Sequence, residues 1–366
     1  MNRDDHRFMA QAIRLAKLGL YTTNPNPRVG CVLVKDGVVV GEGYHLRAGE
    51  PHAERNAIAA AGEQARGATA YVTLEPCCHH GKTPPCSDGL IEAGVSRVVA
   101  AMQDPNPLVA GKGMQQLQDA GIEIDSGLLE SEAMAINPGF IKRQHTGLPY
   151  VRCKLAMSLD GRTAMASGES KWITGPEARM DVHRLRARSS AIITGIETVL
   201  ADDPSMNARL DNVDVVQPLR VVLDSSLRMS PNAKMLGLDG EVLIACSAAA
   251  NQQRLQLLER AGAEVLRQDE VSERIDLESL LRQLAEREIN EVMLETGAVL
   301  AGSYMAAGLI DELVVYIAPH LMGAGARGLL EIPGLERMQD RVNLEIMDLR
   351  QVGQDLRITA RPLERE

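Results

Sequence analysis

The chain has 366 residues and a net charge of −10, with 45% hydrophobic, 24% charged and 2% aromatic residues. That composition excludes a mainly disordered, collagen-like or low-complexity protein, and the length predicts about two domains. A division near residue 147 leaves net −2 in the first part and −8 in the second, so neither nucleic acid nor an anionic membrane surface is an expected partner.

The few aromatics also argue against base-stacking platforms for single strands. No run approaches the ~20 apolar residues of a spanning helix. The charged start Met-Asn-Arg-Asp-Asp-His-Arg does not read as a signal peptide. Six cysteines without disulfide-like spacing suit a reducing compartment, so a cytoplasmic location is expected. Nothing in the sequence decides whether the chain forms a homo-oligomer.

The first half alternates helix and strand. Apolar positions at Phe8, Ala12, Leu15, Ala16 and Leu18 predict a helix over residues 4–19. Val29 to Val34 and Val38 to Tyr44 flank Asp36-Gly37 and read as a hairpin. Helices follow at Ala53 to Ala61, Pro85 to Ala93 and Lys112 to Ala120, the first two stopped by Gly62 and Gly94. Strands are expected at Ala70 to Leu74, Val95 to Met102 and Ile122 to Ile124. A hairpin followed by strand–helix units implies a three-layer α/β domain.

The stretch Gln144-His145-Thr146-Gly147-Leu148-Pro149 reads as a break, giving domains 1–146 and 148–366. Beyond it, near-continuous apolar runs at 150–156, 191–194, 220–224, 242–246, 291–295 and 313–318 predict strands covered on both faces, hence a mostly parallel sheet.

Three residues of the first half carry metal chemistry. His52 opens the Ala-rich helix, Cys77 follows a strand, and Cys86 opens the helix after Pro85. Zinc in a catalytic site takes three N and S donors and keeps a fourth position for water. A helix N-terminus favours the thiolate form of a cysteine. Glu54, two residues after His52, can share the site without binding metal. Water on zinc has a pKa near ~7, and Glu54 could pass its proton to a leaving amine. Free cysteines are more often small buried hydrophobes, and a lone His-x-Glu means little. The strand–helix context of all four residues favours one zinc per chain.

This pattern resembles the zinc deaminase signature of His-x-Glu followed by Pro-Cys and a second cysteine. Eight residues separate Cys77 and Cys86 here, where that signature has two. The longer spacing, in Pro76-Cys77-Cys78-His79-His80-Gly81-Lys82-Thr83-Pro84-Pro85-Cys86, is similar to the deaminase half of the bifunctional riboflavin-biosynthesis deaminase–reductases. Asn24-Pro25-Asn26-Pro27, Gly49 to Glu54 and Asp104-Pro105-Asn106-Pro107 extend the resemblance. It implies a cytidine-deaminase-like domain that deaminates a diaminopyrimidinone ribosylamine 5′-phosphate to the corresponding uracil. It also implies that Asn26, His45, His79, Lys82, Asp104 and Asn106 line the substrate site. Of the adjacent cysteines, Cys77 is expected to ligate because it directly follows Pro76. Each of these residues also has a plain reading: the asparagines can cap Asn-Pro turns, and Lys82 can be a solvated loop charge. A phosphate nevertheless needs a cation, and a pyrimidine edge needs paired donors and acceptors.

The second half has no Gly-x-Gly-x-x-Gly fingerprint. It has a strand–turn–helix at Glu295-Thr296-Gly297, where helix N-terminal amides could hold a phosphate. Polar residues gather after other strands, at Ser158-Leu159-Asp160-Gly161, at Thr198 to Pro204 and at Asp224-Ser225-Ser226, and ligands of open α/β sheets bind beyond strand carboxyl ends. Lys154-Leu155-Ala156-x-Ser158-Leu159-Asp160-Gly161, Ser170-Lys171-Trp172-Ile173-Thr174, Val199 to Pro204 and Glu295-x-Gly297 resemble the reductase half of the same family. That resemblance implies a dihydrofolate-reductase-like fold, NADPH, and reduction of a ribosylamino to a ribitylamino group. It places Ala156, Trp172, Thr198, Asp202, Ser225 and the run Gly297, Ala298, Val299, Leu300, Ala301, Gly302 and Ser303 against the cofactor. It places Lys154, Ser170, Arg186, Met206, Arg209 and Glu295 against the substrate.

Glu295 and Lys154 are the expected catalytic pair, with helix capping by Glu295 as the plain alternative. Trp172 could equally be core. His183 and His320 are expected to be structural, and Cys153 and Cys246 to be core. Two rival functions share the zinc pattern: a tRNA deaminase, opposed by charge and cysteine spacing, and a zinc-stabilised scaffold, opposed by Glu54.

Overall fold

The computed structural model describes residues 2–81, 83–268 and 274–363. The chain divides into two compact units, Met1–Leu148 and Pro149–Glu366. No helix among the described residues is long and apolar enough to cross a membrane.

In the first unit, helix α1 (Arg3–Ala16) starts on a capping box. The Asn2 side chain accepts from Asp4 N and Asp5 N, while Asp5 accepts from Asn2 N. Strands β1 (Gly30–Lys35) and β2 (Val38–Tyr44) form the expected hairpin across Asp36 and Gly37, both at positive φ. Then follow α2 (Ala53–Ala61), β3 (Thr69–Val72), α3 (Cys86–Ala93), β4 (Arg97–Ala100), α4 (Lys112–Asp119) and β5 (Glu123–Ser126). The five-stranded sheet runs β2-β1-β3-β4-β5. β1 is antiparallel to both neighbours, and β3, β4 and β5 are parallel.

One face of this sheet packs against α1 through Phe8, Met9, Ala12 and Ile13. The other packs against α2, α3 and α4 through Ala53, Ala57, Leu90 and Leu117. The result is three layers. Gly43 permits the close seat of α2: a Cβ there would lie 2.3 Å from Ala53 O. Two helices were not foreseen, α5 (Glu130–Met134) and α6 (Pro138–Thr146). They bury only a few apolar residues, such as Ala133, Phe140 and Ile141, too few for a clear period. The expected break is correspondingly narrower. Gln144 to Thr146 form the last turn of α6, which Gly147 ends in a left-handed conformation at φ 68.

The second unit opens with β6 (Tyr150–Ser158) and β7 (Arg162–Ala164), followed by α7 (Pro176–Arg188), β8 (Ala191–Gly195), α8 (Ile196–Asp202), β9 (Leu219–Leu223) and β10 (Val242–Cys246). Next come α9 (Gln252–Arg260), β11 (Glu264–Arg267), α10 (Leu277–Glu286), β12 (Glu291–Leu294), α11 (Ala298–Ala306) and β13 (Glu312–Ala318). The last strands are β14 (Arg327–Gly328), β15 (Leu344–Val352) and β16 (Asp355–Pro362).

Among the described residues nine strands form one sheet, β11-β10-β9-β8-β12-β6-β13-β16-β15, in which only β16 runs against the others. β7 and β14 pair separately. Because β6, β8, β9 and β12 run the same way, their carboxyl ends open on one edge. The β15–β16 hairpin carried no sequence signal, since β15 exposes residues on both faces and lacks a period-two pattern.

Candidate active sites

In the first unit, His52 is the N-cap residue of α2, Cys77 lies beyond the end of β3, and Cys86 is the first residue of α3. One donor atom from each lies within 4.8 Å of the others. His52 Nδ1 stands 3.3 Å from Cys86 Sγ and 3.6 Å from Cys77 Sγ. A tetrahedral zinc with ordinary bond lengths requires about 3.6 Å between N and S donors, so the three residues fit that metal. Cys78 is not part of the group. His52 Nε2 lies 3.3 Å from Thr83 Oγ1, a partner that orients the ring from behind. The Cys77 thiol is pulled well down by the hydrogen bond from Cys86 and by His52, consistent with a thiolate donor.

Glu54 sits in the first turn of α2 and is 3% exposed. Burial, reinforced by the charge of Cys77, pushes its carboxyl up to about 7. It is an acid beside the donors, outside the donor group.

The structure joins Asn26 and His45 to this centre. His45 Nδ1 lies 3.2 Å from Pro51 O and Nε2 lies 3.0 Å from Asn26 Nδ2. A carbonyl only accepts, so Nδ1 carries the proton and Nε2 accepts from the amide. Burial keeps His45 neutral by lowering its pKa, and its ring meets His52 edge-on at 5.0 Å. Asp104 is buried; desolvation, aided by the charge of Glu75, raises its pKa to about 6. Its Oδ1 accepts from Asn106 N at 2.8 Å, and Asn106 Oδ1 accepts from Leu108 N at 3.0 Å. The turn-capping reading of Asn106 therefore holds as geometry. His79 is exposed. Lys82 lies outside the described residues.

In the second unit a cleft of roughly 2180 Å³ opens at the strand carboxyl ends, above the ~300–1,000 Å³ usual for a single small ligand. Lys154, Ala156, Ser170 and Trp172 line one part, and Arg186, Met206 and Arg209 another. Thr198 and Asp202 line it from α8, Ser225 from beyond β9, and Glu295 from beyond β12. Of the glycine-turn run, Gly297, Ala298, Val299, Leu300 and Ser303 reach the cleft, whereas Ala301 and Gly302 do not. The helical period turns those two inward. Ala301 is fully buried, and a Cβ on Gly302 would lie 1.9 Å from Glu331 O. Both therefore stand behind the cleft wall that their neighbours in α11 form.

Glu295 does not cap α11. The N-cap is Gly297, and no side chain bonds the first turn. Its carboxylate instead receives Arg186 Nε and Nη2 at 2.5 and 2.7 Å. Burial works against its charge, but Arg186 and then Lys154 outweigh that and lower its pKa. Lys154 is itself pushed down by burial, with Glu295 opposing. Trp172 is not core: it is 72% exposed beneath the Arg179 guanidinium, 4.7 Å from the ring centre. Asp202 pairs with Lys171 at 2.8 Å.

Two residues were missed. His183 lines the cleft, where the sequence suggested only a structural role, and its ring nitrogens lie 3.3 and 3.2 Å from Arg209 N and Nη2. Glu75, 3% exposed, is the other. Its sole sequence signal is its place two residues before Cys77.

Residues 2–102 match the cytidine and deoxycytidylate deaminase zinc-binding region, and residues 149–358 match the RibD C-terminal domain. The chain is 52% identical to the riboflavin biosynthesis protein RibD of Escherichia coli K12, over 96% of this chain and 98% of that one. It is 51% identical to the Haemophilus influenzae protein of the same name, over 97% and 96%. Among solved structures, Acinetobacter baumannii RibD in form 2 superposes with a TM-score of 0.91 at 48% identity, covering 99% of both chains. A Thermotoga maritima diaminohydroxyphosphoribosylaminopyrimidine deaminase/5-amino-6-(5-phosphoribosylamino)uracil reductase superposes with a TM-score of 0.87 at 35% identity, over 98% and 99%.

Proposed function

We propose a division of labour along this chain from the premise that it belongs to the RibD family, and is therefore a bifunctional deaminase and reductase of riboflavin biosynthesis. The first unit hydrolytically deaminates 2,5-diamino-6-ribosylamino-pyrimidinone 5′-phosphate to 5-amino-6-(5-phosphoribosylamino)uracil. The second then reduces the ribosyl to a ribityl side chain with NADPH. The substrate is a small phosphorylated pyrimidine, and the acidic balance of both halves disfavours nucleic acid.

In the first unit His52, Cys77 and Cys86 would hold one zinc. When bound, it lowers the pKa of water enough to make a nucleophile near neutral pH. Glu54 takes the proton of the attacking water and delivers it to the departing amine. Its raised pKa suits both transfers near pH 7. Asn26, oriented by neutral His45, presents its amide to the pyrimidine edge. Asp104 and Asn106 bound the same site from their loop, and His79 and Lys82 come from the segment between the cysteines. One observation carries this reading: three donors at tetrahedral spacing beside a buried acid that stands outside their set.

In the second unit the first-turn amides of α11, from Gly297 to Leu300, would hold cofactor phosphate, with Trp172, Thr198, Asp202, Ser225 and Ser303 along the dinucleotide and Ala156 near its reactive end. Arg209 offers a fork to the substrate phosphate, with Ser170 and Met206 beside it. Arg186 holds Glu295 toward the ribose as an ionised carboxylate, where Glu295 positions the sugar for reduction at C1, and Lys154 supports it.

The test is product analysis of the purified chain with the ribosylamine phosphate, first alone and then with NADPH. The uracil is expected alone and the ribitylamino product after NADPH. Absence of deamination without NADPH would refute the division.

A further inference from the structure

Glu75 is a buried carboxylate that neither the metal nor the proton transfers employ. Its Oε2 accepts from Asp104 N at 3.1 Å and Gly111 N at 2.9 Å. Its Oε1 accepts from Gly113 N at 2.9 Å and Met114 N at 3.3 Å. The two oxygens thus hold both ends of the loop 104–111 and the first turn of α4. That helix has no side-chain cap of its own, because its N-cap is Gly111. Glu75 supplies the missing anion from the segment that follows β3, where it meets both the first-turn amides and the positive end of the helix dipole.

A second contact fixes the same junction. A Cβ on Gly113 would lie 2.0 Å from Pro76 O, so only glycine lets α4 press on the backbone between Glu75 and Cys77. Farther along α4, Gln116 Oε1 accepts from Ser87 Oγ at 2.8 Å, and its Nε2 donates to Asp88 Oδ1 at 2.6 Å. Ser87 N donates to Cys77 O at 3.1 Å, and Ser87 Oγ, whose single proton is shared with Gln116, lies 3.1 Å from the same carbonyl oxygen. Helix α4 therefore braces both cysteine-bearing segments, and Glu75 links that brace to the loop carrying Asp104 and Asn106.

We propose that Glu75 is a positioning residue of the deaminase: its carboxylate sets where the 104–111 loop stands relative to Cys77, and so where the pyrimidine is held. The proposal rests on the reading that Asp104 and Asn106 face the substrate. Its energetic logic is that of a fully accepting group. A carboxylate offers only lone pairs to four N–H donors, whereas an isosteric amide would turn two donors toward two others. The loop must then shift, and the contacts of Asp104 and Asn106 with the pyrimidine weaken in ground and transition state alike.

The experiment uses the full chain carrying Glu75→Gln, Glu75→Asp, Asn106→Ala and the Glu75→Gln/Asn106→Ala pair, read by deaminase KM and kcat, zinc content and reductase turnover. Glu75→Gln is expected to raise KM for the ribosylamine phosphate about ten- to a hundredfold, the worth of one or two lost hydrogen bonds. Its kcat should stay within about threefold, since lost uniform binding appears in KM. Zinc should remain at one per chain and reductase turnover unchanged. Glu75→Asp, which restores the charge, should recover part of the KM, and it carries the test if Glu75→Gln does not fold. Asn106→Ala should raise KM alone but add little to Glu75→Gln, because both act through one loop. An unchanged KM with a lowered melting temperature would make Glu75 a helix cap only and overturn the proposal. Loss of zinc, or strict additivity with Asn106→Ala, would overturn it as well. If Asn106→Ala alone leaves KM unchanged, the substrate role of the loop fails, and the proposal falls with it. If Asn106→Ala raises KM and Glu75→Gln does not, only the positioning role fails.

Discussion

Arg186 and Glu295 face each other as a fork on a fork, with Nε on Oε1 at 2.5 Å and Nη2 on Oε2 at 2.7 Å. The Arg186 Nη1 also donates to Asn207 O at 3.2 Å, so the guanidinium is anchored on both sides. Parallel bonds of this kind fix direction as well as distance. Arg186 therefore aims the carboxylate.

Glu295→Gln should separate aim from stability. The amide leaves the Arg186 charge without its counter-charge in a mostly buried position, which costs about 3 kcal/mol. NADPH should still bind, because Glu295 is not part of the α11 first turn. Hydride transfer measured by stopped flow should fall by orders of magnitude. Near-normal transfer in a folded variant would remove Glu295 from the reaction.

Cys86→Ser and Glu54→Gln should fail differently. Cys86→Ser removes one donor from a three-residue set and should lose zinc and deamination together. Glu54→Gln keeps the donors and should retain one zinc per chain while losing about 10²–10⁴ in deamination. Metal analysis alongside turnover distinguishes them. An active Glu54→Gln enzyme would refute the proton-transfer role.

Cutting the chain between Leu148 and Pro149 should give two working pieces. Each unit has its own hydrophobic core, and this cut leaves α6 and Gly147 intact. The first piece should deaminate without NADPH, and the second should reduce the deaminated substrate without zinc. Reductase activity lost on chelation, with the fold intact, would contradict the separation.

His183 should make the second unit acid-sensitive. Burial, then the charges of Arg186 and Arg209, lower its pKa to about 4. In the unfolded chain it titrates near 6.5. Between these values the unfolded state binds more protons, so stability should fall as pH drops from about 6.5 to about 4 and then level off. Thermal melts followed by Trp172, the single tryptophan, should show this slope, and His183→Gln should flatten it. An equal slope in the variant would place the sensitivity elsewhere.

The grouping of His52, Cys77 and Cys86 was legible in the sequence because each sits at a local landmark. His52 and Cys86 open helices, Cys77 follows a strand, and Glu54 comes one turn-start after His52. The hairpin at Asp36-Gly37, the helix stop at Gly94 and the parallel apolar strands were legible for the same reason. Local hydrogen bonding and periodicity act over a few residues and leave their mark in order along the chain. The tertiary structure alone decided the rest. Arg186 reaches Glu295 across 109 positions, and Glu75 reaches Gly113 across 38. No local pattern announces such pairings, because each partner looks like an ordinary surface charge or helix glycine until the fold buries it. Likewise α5 and α6 bury too little to show a period, and the β15–β16 hairpin exposes too much. Ala301 and Gly302 face the interior and not the cleft because helical rotation, set by packing against Glu331, turns them inward.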